Sequence, residues 1–240
     1  MKVLIAVPRL TNPGGVASYY RTLRQHLDPE KVYFEVGQAP GERSLWHKAC
    51  RLLGDYWRFH RLLSEGEFGL VHINPSLDSQ AIVRDALLLL IAKAHGRPVL
   101  VFYHGWRTPV ERAIRRHFAF LFRRIFGMAD GSILLAEDFR RSLLDLGIEG
   151  PFFLQTPPVD DAVFSAGIDR RVRTDDPCRI LFLCRLERGK GLPEALAAYA
   201  ILQARYPSVR LSIAGDGPER AGAEREVAKR GLATVRFLGH

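Results

Sequence analysis

Two cations stand five residues apart at Arg185 and Lys190, in a segment that also contains Gly189 and continues into Gly191. Arginine binds phosphate oxygens through a forked pair of N–H groups, and lysine acts as a point charge. On a tight turn between a strand and a helix, the two side chains can converge on a diphosphate. The alternative is a solvated basic turn without a ligand. The position at a predicted strand end favours the phosphate interpretation.

A histidine also follows a strand, because His104 and Gly105 come directly after the predicted strand Val99–Tyr103. Ligands of open parallel sheets bind beyond the carboxyl ends of the strands. A histidine at this position can hydrogen-bond a sugar hydroxyl or polarise a reacting group. The alternative is a loop histidine that only bonds to backbone. We predict a functional role for His104.

Two pairs of glycines follow other strand ends. Gly14 and Gly15 precede a predicted helix that begins at Val16, and Gly215 and Gly217 form a similar turn. Bare backbone lets a ligand approach closely, and free N–H groups at the start of a helix attract anions. The alternative is that these glycines only form turns. The G-x-G-x-x-G spacing of dinucleotide-binding loops is missing, which disfavours a nicotinamide dehydrogenase.

A parallel sheet is needed to position these loops, and short apolar runs that alternate with longer helical stretches predict one. The predicted strands are Lys2–Val7, Val32–Gln38, Leu70–Ile73, Val99–Tyr103, Gly131–Leu135, Arg179–Cys184, Arg210–Ala214 and Thr234–Leu238. The predicted helices are Val16–Leu27, Ser44–Ser64, Ser79–His95, Val110–Phe126, Glu137–Leu146, Leu192–Tyr206 and Pro218–Arg230. The pattern is that of an α/β protein.

The alternation restarts after a charged segment, Asp169–Pro177, that ends in proline as linkers often do. We therefore predict two Rossmann-like, doubly wound domains at residues 1–168 and 169–240. A doubly wound domain has about 100 residues or more, and roughly 70 follow the predicted boundary. The second domain is expected to be incomplete.

The net charge is +9, from 35 basic and 26 acidic side chains, and favours anionic partners. No recognised nucleic-acid-binding module is present, so no nucleic acid is expected. No apolar stretch approaches the roughly 18 residues of a membrane span. Three cysteines without a pairing framework or metal spacing suit a reducing compartment. We predict a cytoplasmic protein.

Together these segments resemble the family 4 glycosyltransferases, retaining enzymes of the GT-B fold that use nucleotide-diphosphate sugars. The resemblance covers essentially the whole chain. Pro13–Val16 resembles the family's N-terminal glycine loop. Val71–Asn74, followed by Val101–Gly105, resembles its strand-end histidine segment. The strongest matches are Arg185-Leu186 with Lys190-Gly191, Ala214–Pro218 and Phe237–Gly239. Thr156-Pro157-Pro158 replaces the Asn-Gly that is common in the family.

The resemblance implies retaining sugar transfer to a polysaccharide or a lipid-linked acceptor. Arg185 and Lys190 would hold the donor diphosphate and stabilise the leaving group, with His104 near the transferred sugar. No metal is expected, since positive side chains replace it. The predicted donor-binding residues are Gly14, Gly15, Arg185, Lys190, Gly215 and Gly217.

One element of the family is missing, a pair of glutamates eight residues apart, since no two glutamates of the chain have this spacing. The family would place this pair beyond His240, so we expect a truncation within the donor-binding domain and a chain that does not transfer sugar by itself. Two alternatives stay open. One is a GT-B sugar-nucleotide epimerase, and the other is a non-catalytic binding module.

The segment Arg107–Arg124 holds six arginines and one acid, Glu111. Its apolar residues share one helical face, as in helices that lie on an anionic leaflet. These residues are Ile114, Phe118, Leu121, Phe122 and Ile125. A helix that packs this face on the sheet is the interpretation we favour, and peripheral contact with the inner face of the membrane is the alternative.

Overall fold

The computed structural model describes residues 1–12, 14–26, 30–37, 44–75, 79–165 and 178–239. The chain divides into two compact units, Met1–Gly167 and Ile168–His240, and each is described by itself. The predicted linker Asp169–Pro177 lies outside the described residues, as do the predicted ends of two elements at Leu27 and Gln38.

The described part of the first unit contains a parallel sheet of six strands in the order β2-β1-β3-β4-β5-β6. The strands are β1 (Val3–Pro8), β2 (Lys31–Val36), β3 (Leu70–Ile73), β4 (Val99–Tyr103), β5 (Gly131–Leu134) and β6 (Phe152–Leu154). The strand order reverses between β1 and β3. A reversal of this kind is where parallel sheets open a ligand crevice, at the carboxyl ends of the strands.

Helices cover both faces of β1. The helices of this unit are α1 (Gly15–Leu23), α2 (Leu45–Glu65), α3 (Ser79–Ala94), α4 (Thr108–Ala113), α5 (Ala119–Phe126), α6 (Glu137–Asp145) and α7 (Ala162–Ser165). Leu4 and Ala6 pack in the main core with α2, α3 and α5. Ile5 and Val7 pack in a smaller cluster with Tyr20 of α1. Burial on both sides explains the unbroken apolar run of β1.

The prediction of one continuous helix over Val110–Phe126 is wrong, because a π-helical turn at Ile114–Phe118 separates α4 from α5. The backbone of Phe118 leaves the helical range, with φ −129° and ψ 9°. A π turn shifts the side-chain register by one residue. Ile114, Phe122 and Phe126 are all buried, whereas Phe118, which a regular helix would place in the same row, is exposed.

The described part of the second unit has three parallel strands, β7 (Arg179–Leu183), β8 (Arg210–Ala214) and β9 (Val235–Gly239), in that order. Its helices are α8 (Leu192–Arg205) and α9 (Arg220–Lys229). Both helices pack on one face of the sheet around Leu211 and Ile213. Among the helices described in either unit, none combines the length and apolar character needed to cross a membrane.

Candidate active site

Asn74 follows β3 at the carboxyl edge of the first sheet and is buried. Its Nδ2 donates to the backbone oxygen of Ala6 on β1 at 2.8 Å. Its Oδ1 accepts the Tyr20 hydroxyl of α1 at 2.7 Å and lies 2.9 Å from Nε2 of His104. Asn74 therefore joins β1, α1 and the loop after β4 at the point where the strand order reverses.

The contact with Asn74 determines which nitrogen of His104 carries the proton. The backbone oxygen of Ala6 only accepts, so the amide nitrogen of Asn74 must face it and the amide oxygen must face His104. An amide oxygen cannot donate, so Nε2 of His104 is protonated and donates. In the neutral imidazole Nδ1 is then an acceptor for the hydroxyl of a ligand.

Burial keeps this histidine neutral. Burial, and secondarily the neighbouring His72, lowers the pKa of His104 from 6.5 to about 3. Burial also lowers the pKa of His72, whose Nε2 lies 3.5 Å from the Tyr20 hydroxyl, to about 4. His104 is therefore uncharged at neutral pH. Its predicted roles are hydrogen bonding to a sugar hydroxyl and polarising a reacting group, and an uncharged ring performs either one only through hydrogen bonds.

The ring of His104 is held by its neighbours. The ring centroid of Phe102 lies 3.7 Å from it, with the planes 33° apart. Tyr19 meets the imidazole edge-on at a centroid distance of 5.0 Å. The backbone N–H of His104 donates to the oxygen of Pro75 at 3.1 Å. These contacts fix the orientation of the ring before any ligand binds.

The predicted residues Gly14 and Gly15 begin α1 beside this network. No side-chain hydrogen bond from the N-cap residue Gly14 caps the helix, and among the described residues a Cβ at either glycine would meet nothing within 4 Å. The first N–H groups of a helix lack partners within the helix, so this end can donate to an anion. A pocket of about 240 Å³ adjoins the two glycines and is also lined by Asn12, Asn74 and Arg84.

The guanidinium of Arg84 is fixed at this pocket by a buried carboxylate. Its Nε and Nη2 donate to the two oxygens of Asp85 at 2.8 and 2.7 Å. Asp85 is 1% exposed. Burial raises the pKa of Asp85, and Arg84 opposes that shift. A paired arginine of this kind stays charged and keeps one direction.

Asn74, Tyr20 and Arg84 are not among the site residues predicted from the sequence. A signal existed for Asn74, because it follows a strand end in the same way as His104. A signal also existed for Arg84, since Arg84 and Asp85 interrupt an otherwise apolar stretch, and charges in such stretches are paired. Tyr20 has no local signal, because its role depends on contact with a residue 54 positions away.

In the second unit, glycines bring the loops after β7 and β8 together. The backbone N–H of Leu186 donates to the oxygen of Asp216 at 2.9 Å. A Cβ at Gly215 would lie 1.9 Å from the oxygen of Cys184, and one at Gly217 would lie 2.4 Å from that of Leu186. Because no side chain fits, both glycines position the cationic loop that follows β7.

Arg185 and Lys190 are exposed side chains of that loop. Nη1 of Arg185 pairs with Oε1 of Glu187 at 2.9 Å, while Lys190 has no ion-pair partner within the part of the chain that the structure describes. Gly189 and Gly191 adopt left-handed backbone at φ +83° and +81° and turn the chain into α8. An exposed ion pair is weak, so an anion can displace Glu187.

The predicted residues thus form two sets, each within its own unit. One set is His104, Gly14 and Gly15, connected through Asn74 at the carboxyl edge of the first sheet. The other is Arg185, Lys190, Gly215 and Gly217 at the carboxyl ends of β7 and β8. Each set lies where its sheet would bind a ligand.

Comparison with protein families gives a match for each unit. Residues 3–151 match the model described as "Glycosyl transferase 4-like domain". Residues 168–240 match the model described as "Glycosyl transferases group 1". A segment of 72 residues is 39% identical to the glycogen synthase of Mycobacterium tuberculosis (strain CDC 1551 / Oshkosh). This segment spans 30% of the chain and only 17% of that relative.

Solved structures with similar folds cover the whole chain. Sucrose-phosphate synthase from Thermosynechococcus elongatus aligns with a TM-score of 0.65 at 16% identity, over 71% of its own chain. The OtsA apo structure aligns with a TM-score of 0.69 at 13% identity, over 74% of its own chain. UDP-GlcNAc 2-epimerase from Neisseria meningitidis, bound to UDP-GlcNAc, aligns with a TM-score of 0.60 at 14% identity, over 72% of its own chain. Such identities show the fold alone, and the predicted α/β fold of the GT-B type is confirmed.

Proposed function

The chain belongs to the glycosyl transferase 4-like family, and we propose that the protein transfers a sugar from a nucleotide-diphosphate donor to a glycan or a lipid-linked acceptor, with retention at the anomeric carbon. The observation that carries this proposal is the loop after β7. Arg185 and Lys190 are exposed there, and Gly215 and Gly217 hold the loop at the carboxyl edge of the sheet.

In the proposed reaction, the bond between the anomeric carbon and the diphosphate oxygen breaks, and its electron pair stays on the nucleoside diphosphate. Negative charge therefore develops on the leaving group. Arg185 and Lys190 stabilise that charge, and the backbone N–H groups near Gly215 and Gly217 add hydrogen bonds. An acceptor hydroxyl oxygen bonds to the anomeric carbon, and its proton passes to the released diphosphate. We propose that these groups act without a bound metal, so EDTA is expected to leave donor binding unchanged.

The first unit supplies the second set of contacts in this proposal. Neutral His104 accepts a hydrogen bond from a hydroxyl of the transferred sugar through Nδ1, because Asn74 occupies the protonated Nε2. Gly14 and Gly15 present the free N–H groups of α1 to an anionic part of the donor. Preorganised groups of this kind lower the barrier because they need not reorient during the reaction.

An anionic membrane leaflet is a further proposed partner. The net charge of +9 and the six arginines of Arg107–Arg124 support it. Exposed aromatic side chains add to that support, since Phe120 is 80% and Trp57 60% exposed. Basic surfaces that carry exposed aromatic residues bind anionic lipids. Binding to a membrane would also favour a lipid-linked acceptor over a soluble glycan as the second substrate.

The donor proposal is tested by calorimetric titration of UDP, GDP and ADP into the protein. We expect one of them to bind, and Lys190→Gln to weaken that binding about tenfold, or about 1.4 kcal/mol. Lys229→Gln on α9 removes the same charge from the same unit and serves as the matched control. Binding is measured rather than turnover because the proposal concerns the contacts of Lys190 with the donor diphosphate.

Equal affinity of the Lys190→Gln and Lys229→Gln proteins, or no binding of any nucleotide, would contradict the proposal. A separate incubation with nucleotide sugars and no acceptor addresses the epimerase alternative. Epimerisation of the donor under those conditions would favour an epimerase over a transferase.

A further inference from the structure

A groove of about 410 Å³ lies between α3 and the segment that runs from α4 through the π-helical turn to α5. Among the residues that the structure describes, twelve side chains line it, all of them aliphatic, proline or phenylalanine and without a hydrogen-bonding atom. The described side chains therefore offer no hydrogen-bond partner to a polar ligand, and burying a polar group against them would be costly. Its volume is within the usual range of small-molecule sites.

The groove has a buried floor and an exposed rim. Ile114, Phe122 and Phe126 form the floor and belong to the main core. Phe118 and Leu121 line the rim on one side and are more than half exposed, as Val83 is on the other side. Soluble proteins rarely leave such a continuous apolar surface in water without a function.

Exposed arginines lie on the helical segment that forms one side of the rim. Arg112, Arg116 and Arg124 are exposed and have no ion-pair partner among the described residues, in contrast to Arg115, which pairs with Glu111 and Asp145. At helical spacings of three and four residues, Arg124 lies beside Leu121 and Phe120 on α5. Guanidinium groups bind phosphate oxygens well. An apolar groove is thus combined with free positive charge on the same helical segment.

We infer that this groove receives one hydrocarbon chain of an anionic membrane lipid, while Arg112, Arg116 and Arg124 contact the phosphates of surrounding headgroups. The inference rests on the anionic membrane proposed above as a partner and adds the place where a lipid chain binds. The apolar side chains of the lining favour a hydrocarbon as the occupant. The positive charge of the arginines on the same segment favours an anionic surface. Transfer of the chain's methylene groups from water into the groove favours binding.

A second copy of the chain is a poorer occupant. In a symmetric dimer across this groove, the same arginines of the two copies would face each other. Like charges opposed at an interface are costly and suppress such pairing. A concentration-dependent dimer in solution would therefore contradict the inference, and sedimentation velocity measures it.

The first arm of the test uses cis-parinaric acid, whose fluorescence rises when its chain enters an apolar site. The protein is expected to bind it, and Ala113→Phe, which fills the groove from its lining, is expected to weaken binding at least tenfold. Ala198→Phe makes the same change on the exposed surface of α8 and is the matched control. Equal binding by both variants, at equal thermal stability, would overturn the inference.

The second arm identifies the bilayer as the source of the chain. Vesicles of phosphatidylglycerol brominated in the acyl chains are added to Leu121→Trp and to Leu144→Trp, which has its tryptophan on α6. Bromine quenches an indole that enters the chain region, so quenching of the added emission is expected only for Leu121→Trp. If the vesicles pellet the protein but quench both variants equally, the inference that the groove binds the lipid chain is overturned. The membrane then stays a proposed partner.

If the vesicles do not pellet the protein, both the membrane proposal and this inference are overturned. Neither result changes the nucleotide titrations, because Ala113 and Leu121 lie outside the residues proposed to bind the donor. Failure of the donor proposal and failure of the groove are thus observed in different experiments.

Discussion

At the scale of single residues, the first unit places an uncharged histidine among buried polar groups. His104, His72, Tyr20 and Asn74 share hydrogen bonds or ring contacts at the carboxyl edge of the sheet. Burial raises the pKa of Tyr20, as it lowers the pKa of both histidines, so all of these side chains are neutral in the folded protein. We therefore propose that the charge of the reaction is balanced by Arg185 and Lys190 and not by these buried groups.

This burial predicts how stability depends on pH. In the folded protein the pKa of His104 is about 3 and that of His72 about 4, below the ordinary value of 6.5. The stabilisation by the neutral imidazoles is complete above pH 6.5 and is lost as the pH falls, because only the unfolded chain then binds the protons. Each histidine contributes a slope of up to about 1.4 kcal/mol per pH unit.

Urea unfolding of the wild type at pH 7 and at pH 5 measures this slope. His104→Gln keeps a donor for Asn74 but cannot be protonated, so its stability should fall less between the two pH values. His117→Gln, on the exposed π-helical turn, is the control and should follow the wild type. An unchanged pH dependence in His104→Gln would show that this imidazole is not buried in its neutral form.

At the scale of elements, the loops after β7 and β8 depend on each other. The loop with Arg185 and Lys190 keeps its position because the backbone at Gly215 and Gly217 touches it without side chains. The cations alone could belong to any basic turn. Their placement at a strand end by a neighbouring loop distinguishes this turn as a candidate ligand site.

Gly217→Ala is expected to destabilise the second unit by about 2 kcal/mol or more. The new Cβ would lie 2.4 Å from the oxygen of Leu186, on backbone with φ +153°, and strained backbone of this kind costs on the order of 1–3 kcal/mol. Gly222→Ala in α9 is the control, since its Cβ would meet only Nη2 of Arg225 at 4.0 Å. That change should stabilise by about 0.5–1 kcal/mol.

Hydrogen exchange followed by mass spectrometry measures both effects in residues 178–239. Faster exchange in Gly217→Ala and slower exchange in Gly222→Ala are expected. Similar exchange in the two variants would mean that the loops after β7 and β8 tolerate a side chain between them, and that the cationic loop is not positioned in this way.

At the scale of the whole molecule, charge and apolar exposure occur together in the first unit. Exposed aromatic and aliphatic side chains lie on α2, α3 and α5, and arginines accompany them on α5. The overall excess of positive charge draws the molecule toward anionic surfaces over a distance set by the salt concentration.

The protein is expected to pellet with phosphatidylglycerol vesicles and not with neutral phosphatidylcholine vesicles. The double variant Arg116→Gln/Arg124→Gln should bind at least tenfold more weakly, since each basic residue near the surface contributes about 1 kcal/mol. Arg140→Gln/Arg141→Gln on α6 removes the same net charge and is the control. Equal pelleting with both lipids, or equal losses in the two double variants, would contradict a specific surface.

The amino-acid sequence by itself determined the α/β class and the positions of eight of the nine strands that the structure describes, the exception being the short edge strand β6. Apolar runs such as Val99–Tyr103 are bounded by turn residues, and the alternation with helical stretches has few other solutions. It also determined that His104 and Arg185 follow strand ends, since that is a matter of order along the chain. These features depend on residues close in sequence, whose preferences are local.

Only the tertiary structure decided what those residues contact. The protonated Nε2 of His104 depends on Asn74, 30 positions away, and the positioning role of Gly217 depends on the backbone of Leu186, 31 positions away. Across the π-helical turn, Ile114 and Phe122 are buried and Phe118 is exposed, a pattern that regular helical spacing does not predict. Burial, hydrogen-bond partners and close backbone contacts arise between distant segments, so local preference does not determine them.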